Sequence, residues 1–112
     1  MRFLEPTLLL LLHQSSGHGY TLIDGLASYG LEEVDTSAVY RALRGMEEKG
    51  WVVSSWDEKR TQGPPRRVYR LTAAGDEMLR WWTQDLEETR GMIDDILGAY
   101  REHMAEGEGE HH

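Results

Sequence analysis

Between Thr36 and Arg70 eight basic side chains gather: Arg41, Arg44, Lys49, Lys59, Arg60, Arg66, Arg67 and Arg70. Only Glu47, Glu48, Asp57 and Glu58 oppose them, so eight against four leaves +4 within a chain of formal charge −8. Residues 1–35 hold one Arg against five acids, and residues 73–112 hold three Arg against eleven. A basic island in an acidic chain suits a duplex, because neutralising phosphates supplies much of the affinity. The acidic remainder favours solubility and limits indiscriminate binding. Other chemistries lack their residues. The chain has no cysteine, which excludes disulfides, thiol catalysis and cysteine-ligated zinc. His13, His18 and His103 form no i, i+4 pair, and neither a Ser-His-Asp spacing nor a phosphate-loop glycine pattern occurs. The pairs Glu87-Glu88 and Asp94-Asp95 belong to a solvated helix face. The chain therefore reads as non-enzymatic, with no cofactor and no metal.

The elements that must position these cations follow from periodicity and punctuation. Glu5 and Pro6 suit a first helical turn, and the run Leu8 to Leu12 carries that helix to about Gln14, where Ser15-Ser16-Gly17 breaks it. The leucine run is too short to cross a bilayer and has no small-residue cleavage site; a fully buried helix is expected, and a cytoplasmic location by default. A second helix starts near His18 or Gly19, with Tyr20, Ile23 and Leu26-Ala27 as its apolar stripe. A third, capped by Asp35, Thr36 or Ser37, buries Val39, Leu43 and Met46 and stops at Gly50. The runs Trp51–Trp56 and Arg67–Leu71 are β-branched and aromatic, and a turn from about Asp57 to Arg66 containing Pro64-Pro65 separates them. Three helices, a hairpin and a further helix make a mainly α fold with a small β-hairpin wing: a winged helix-turn-helix plus a long C-terminal helix.

That last helix begins at Thr72 as N-cap. Leu79, Trp82, Leu86, Thr89, Ile93, Ile96 and Tyr100 are separated alternately by three and four residues, an a/d seam broken only by Thr89. One helix cannot bury such a seam alone, so Leu79, Trp82, Leu86, Ile93, Ile96 and Tyr100 are expected to pair two copies of the chain. The expected organisation is a DNA-binding domain over 1–72, a dimerisation helix over 73–104 and a disordered tail over 105–112.

The chain resembles the PadR-like family of bacterial transcriptional regulators over roughly residues 4–104. The resemblance rests on Leu8–Leu12 followed by Gly17-His18-Gly19-Tyr20, on Val39-Tyr40-Arg41-Ala42-Leu43-Arg44 with Glu47-Glu48-Lys49-Gly50, and on Gly63 to Gly75, which is similar to the family's wing pattern G-x-P-R-K-x-Y-x-L-T-x-x-G. It implies a homodimeric repressor, and the short C-terminal helix is similar to that of the smaller subgroup. Met46 stands in place of leucine, Arg67 of lysine and Ala38 of a frequent threonine. The last of these bears on which operator is read.

Residues near the start of a recognition helix reach base edges and later ones reach backbone. Thr36, Ser37 and Arg41 are accordingly the candidate base contacts, and Tyr40 and Arg44 the candidate phosphate contacts. Lys59, Arg60, Arg66 and Arg67 flank the wing turn and can track phosphates or enter the minor groove. Tyr20 sits where helix-terminal N–H groups can receive a phosphate, while His18 suits a structural role there. Met78 and Trp82 are the candidate contacts for a small aromatic effector, as some relatives sense. The expected partners are a palindromic double-stranded operator and a second copy of the chain, and no membrane. The competing reading is a winged helix used as a protein-interaction module, which would have no need of the +4 island.

Overall fold

Proline has no amide proton to lose in a first turn, and α1 (Leu4–Gln14) begins two residues ahead of Pro6. The computed structural model of the chain describes residues 3–57 and 63–107. Leu4, Leu8, Leu9 and Leu12 recur at helical spacing and are buried, while Leu10 and Leu11 are only half-buried. The leucine run thus packs along one face and is not enclosed all round, as its composition suggested.

Gly17-His18 forms β1 instead of a simple helix break. It feeds directly into α2 (Gly19–Ala27), whose buried residues are Gly19, Leu22 and Leu26. The expected stripe is therefore rotated: Ile23 is half-buried, and Tyr20 and Ala27 face outward. Leu22 and Leu26, one turn apart, bury pure hydrocarbon, whereas a buried Tyr20 would need a partner for its hydroxyl.

The third helix, α3 (Thr36–Glu48), turns Val39, Leu43 and Met46 inward as their spacing requires. Its end is a Schellman motif. Trp51 N donates to Met46 O at 2.9 Å and Gly50 N to Glu47 O at 3.0 Å, with Gly50 at φ 80°. Glycine adopts that left-handed backbone without a Cβ penalty, so the chain reverses at once into β2 (Val52–Trp56).

Antiparallel β3 (Arg67–Leu71) returns along β2 and also pairs β1, giving a three-stranded sheet in the order β1-β3-β2. Val52 stands opposite Leu71, Ser54 opposite Tyr69 and Trp56 opposite Arg67. Period-two alternation puts these six on one face. Along it burial falls from Val52 to the exposed Trp56, so the hairpin leaves the core as a wing. Beyond Trp56 the hairpin closes once more, Asp57 N donating to Arg66 O at 2.7 Å.

The fourth helix, α4 (Ala73–Glu106), starts where the sheet ends and runs past the expected boundary at 104. Thr72 Oγ1 accepts from Gly75 N at 3.0 Å and donates to Gly50 O at 2.6 Å, tying the new helix to the end of α3. Thr72→Val keeps the shape and removes both bonds. A loss of about 1–2 kcal/mol is expected, read as a lower urea midpoint at unchanged m.

The chain divides into two units, residues 1–80 and 81–112, with α4 running through the division. The first unit holds the whole buried core, from Leu4 to Leu79. In the second, Trp81 and Trp82 meet edge-on with centroids 5.4 Å apart, and every residue from 90 to 106 is exposed. No helix among the described residues is long and apolar enough to cross a membrane.

Candidate nucleic-acid interface

With Val39, Leu43 and Met46 inward, helical spacing leaves Thr36, Ser37, Tyr40, Arg41 and Arg44 as one continuous stripe on the other side of α3. Thr36, Ser37, Arg41 and Arg44 are exposed and Tyr40 is half-buried. Glu47, one turn along the helix from Arg44, accepts from Ser54 Oγ on the wing at 2.7 Å.

The N-terminus of α3 is held by Asp35. Its carboxylate accepts from the Ser37 hydroxyl at 2.8 Å and the Ser37 amide at 3.2 Å. The hydroxyl bond, then the amide bond and the nearby Arg41 charge hold Asp35 below the ordinary carboxylate value of 3.8. A group depressed in the folded state stabilises it above its unfolded value, and that contribution is lost as pH falls through the folded one. Asp35→Ala should therefore lower the melting temperature at pH 7, and the difference from the parent should shrink in melts below pH 3.8. The Ser37 hydroxyl, an expected base contact, donates to this cap and keeps its lone pairs for an amino donor on a base edge.

The N-terminus of α2 lies against α3. A methyl group at Gly19 would run into the Tyr40 hydroxyl and ring, so any larger residue here must push that ring aside. Tyr20, 64% exposed, points away from the core, and the Arg66 guanidinium lies 5.8 Å from its ring. Together these elements and the end of the wing turn enclose an open groove of about 480 Å³. Its walls include Tyr20, Tyr40, Tyr69, Arg66 and Arg67. Four candidate contacts from three separate elements, Tyr20, Tyr40, Arg66 and Arg67, thus share one concavity. Tyr69 joins them from β3. Burial, then the Glu47 charge, pushes its phenol above the ordinary value of 10.0, so it stays protonated and available as a donor.

The cations differ in what they already touch. Arg67 Nη1 donates to Ser54 Oγ at 2.8 Å, and its guanidinium lies 4.6 Å from the Trp56 ring centroid. Lys49 stacks over Trp51 at 4.7 Å. Lys59 and Arg60 lie outside the described residues. Along the seam, Leu79 is buried, Trp82 and Leu86 are half-buried, and Ile93, Ile96 and Tyr100 are exposed. Met78 and Trp82 are both half-buried, and neither lines the groove. No group of three or more His, Asp or Glu among the described residues could hold a metal ion.

Sequence reasoning missed Tyr69, which reads as an ordinary strand aromatic. It also missed the partnership of His18 Nε2 with Asp57 Oδ2 at 3.1 Å, because Asp57 reads as a turn acid 39 residues away. Nothing in the sequence pointed to Arg67 being engaged on the wing's own face, because the register that sets it opposite Trp56 belongs to the folded hairpin.

The profile of the transcriptional regulator PadR-like family matches residues 8–81. No curated protein matches the chain. Among solved structures the chain is similar to a conserved protein of unknown function regarded as a potential transcriptional factor, at 31% identity and TM-score 0.80 over 92% of this chain and 91% of that one. It is similar to a candidate transcriptional regulator from Thermoplasma acidophilum at 30% identity and TM-score 0.74, over 88% and 97% of the two chains. It also resembles a PadR-like transcription factor from Bacteroides fragilis at 29% identity and TM-score 0.72, over 84% and 89%.

Proposed function

Because the chain belongs to the PadR-like family of transcriptional regulators, we propose that it binds double-stranded DNA sequence-specifically, as a homodimeric repressor acting in the cytoplasm. The observation that carries this reading is the groove. Tyr20, Tyr40, Arg66 and Arg67 line one concavity beside an exposed polar stripe running from Thr36 to Arg44. A duplex laid there meets hydrogen-bonding groups on every side: Thr36, Ser37 and Arg41 at base edges, Tyr40 and Arg44 at the flanking backbone, and the wing arginines on the next phosphates. Phenol hydroxyls and guanidiniums donate to phosphate oxygens, and guanidiniums do so bidentately.

Two copies reading a palindromic operator follow from the distal half of α4, where Ile93, Ile96 and Tyr100 are 47%, 66% and 62% exposed. An apolar face of that length is a docking surface and not a solvated one, and the 3-4 spacing is that of a helix pair. Met78 and Trp82 are the residues that would hold a planar aromatic effector whose binding releases DNA. The protein-interaction reading lacks a matching observation, since it gives the groove's guanidiniums and phenols nothing to do.

The test is fluorescence anisotropy with DNA from upstream of the gene and a scrambled duplex, each at two salt concentrations. Preference for the upstream DNA, weakened steeply by salt, is expected. Absence of binding to both, followed by failure to select any sequence from random DNA, would leave only the protein-interaction reading.

A further inference from the structure

Where the wing passes the start of α2, one side chain reaches it. His18 Nε2 lies 3.1 Å from Asp57 Oδ2, and both side chains keep only about a quarter of their surface, 27% and 25%. An ionised carboxylate only accepts, so Nε2 carries the proton and His18 is the donor. His18 is itself fixed from two sides. Its backbone pairs with Val68 on β3, and its carbonyl accepts from the Thr21 hydroxyl at 2.8 Å. Asp57 is the last residue of the β2 arm before the turn, and its amide donates to Arg66 O at 2.7 Å. The Arg66 guanidinium lies 5.8 Å from the Tyr20 ring in the groove. A chain of contacts therefore runs from the start of α2 through Asp57 to the wing arginine.

The mechanical need is plain. An isolated two-stranded ribbon is marginal in water, and β1 supports β3 over only two residues, 17 and 18, opposite 69 and 68. Past Val68 the described part of the hairpin has no third strand. Without a brace the wing would sample many directions, and holding it on DNA would cost conformational entropy at each binding event.

We infer that His18 and Asp57 are positioning residues for DNA binding, bracing the wing so that Arg66 is aimed before the duplex arrives. The inference rests on the DNA-binding reading above, but the brace itself can be measured in the free protein. It differs from a structural role at the start of α2, because its effect is confined to the wing.

The experiment compares Asp57→Ala and Asp57→Asn, each with and without Arg66→Ala, together with His18→Gln. Amide hydrogen exchange of the free proteins comes first. Asp57→Ala should lose protection at Arg66 to Val68 and keep it at Leu43. Asp57→Asn and His18→Gln, which preserve an acceptor and a donor, should keep both. Unchanged exchange at the wing overturns the brace, whatever happens with DNA. In anisotropy, Asp57→Ala should weaken operator binding about tenfold, the worth of one partly buried hydrogen bond to a charged group. Adding Arg66→Ala should then cost far less than it does in the parent, since an unaimed arginine has little left to lose. Strict additivity, or an Asp57→Asn as weak as Asp57→Ala, sinks the positioning role. If the parent binds no DNA, the DNA reading fails, while exchange alone still decides the brace.

Discussion

A chain carrying Ile93→Asp and Ile96→Asp is expected to sediment as a monomer at micromolar concentration, where the parent sediments as a dimer. In the single chain these two isoleucines stand in the open beside Met92, Leu97, Tyr100 and Met104, all of them exposed. Burying an aliphatic side chain of this size contributes about 1.5–3 kcal/mol, and a paired seam buries each residue twice, once per copy. The substitutions remove that contribution and put four carboxylates into the seam, where an uncompensated charge costs several kcal/mol more. Neither residue lies in the first unit, so circular dichroism of the winged domain should change little. Operator affinity should fall by about 10²–10⁴-fold, because two linked half-site contacts become independent ones. A dimer that survives both aspartates would refute the seam.

Loss of wing charge should be nearly as visible, and it separates two roles. Arg66→Ala with Arg67→Ala should weaken binding to every duplex, by about tenfold or more at moderate salt. The slope of log affinity against log salt should become shallower by about one for each phosphate that is no longer neutralised. Arg41→Ala, on the recognition stripe, should instead cost about 1–3 kcal/mol on the operator and little on scrambled DNA. Isothermal titration or anisotropy across a salt series reads both. Because Arg67 is bonded to Ser54 and stacked on Trp56, single variants should divide unequally: Arg66→Ala should carry most of the change in slope. An operator-specific loss in the wing variant would mean that the wing reads bases.

Local periodicity made α3 legible from its residues alone. Val39, Leu43 and Met46 can share a face only on a helix, and Gly50 can end that helix because it alone tolerates φ 80°. The same logic placed both long strands and the Thr72 cap, and residue type was enough to find the cations of the wing. It failed on α2, where Tyr20 and Leu22 are both apolar enough to belong to a stripe and the packing of α2 against α1, β1 and α3 chooses between them. Two residues, Gly17 and His18, carry no pattern from which a strand can be read.

Legible without any fold are thus the order of elements, the inward face of α3, the excess of positive charge on the helix-and-wing segment and the spacing of the seam. These are properties of residue type at separations of two to seven, which backbone geometry converts directly into faces. Which of those residues meet is a matter of packing. Tyr40 closes over Gly19, Arg66 comes to Tyr20, Arg67 turns back onto Ser54 and Trp56, and His18 reaches Asp57. Most of these pairs join residues distant in the chain. Their geometry depends on how far each element is rotated in packing a shared core, a quantity that no single segment encodes.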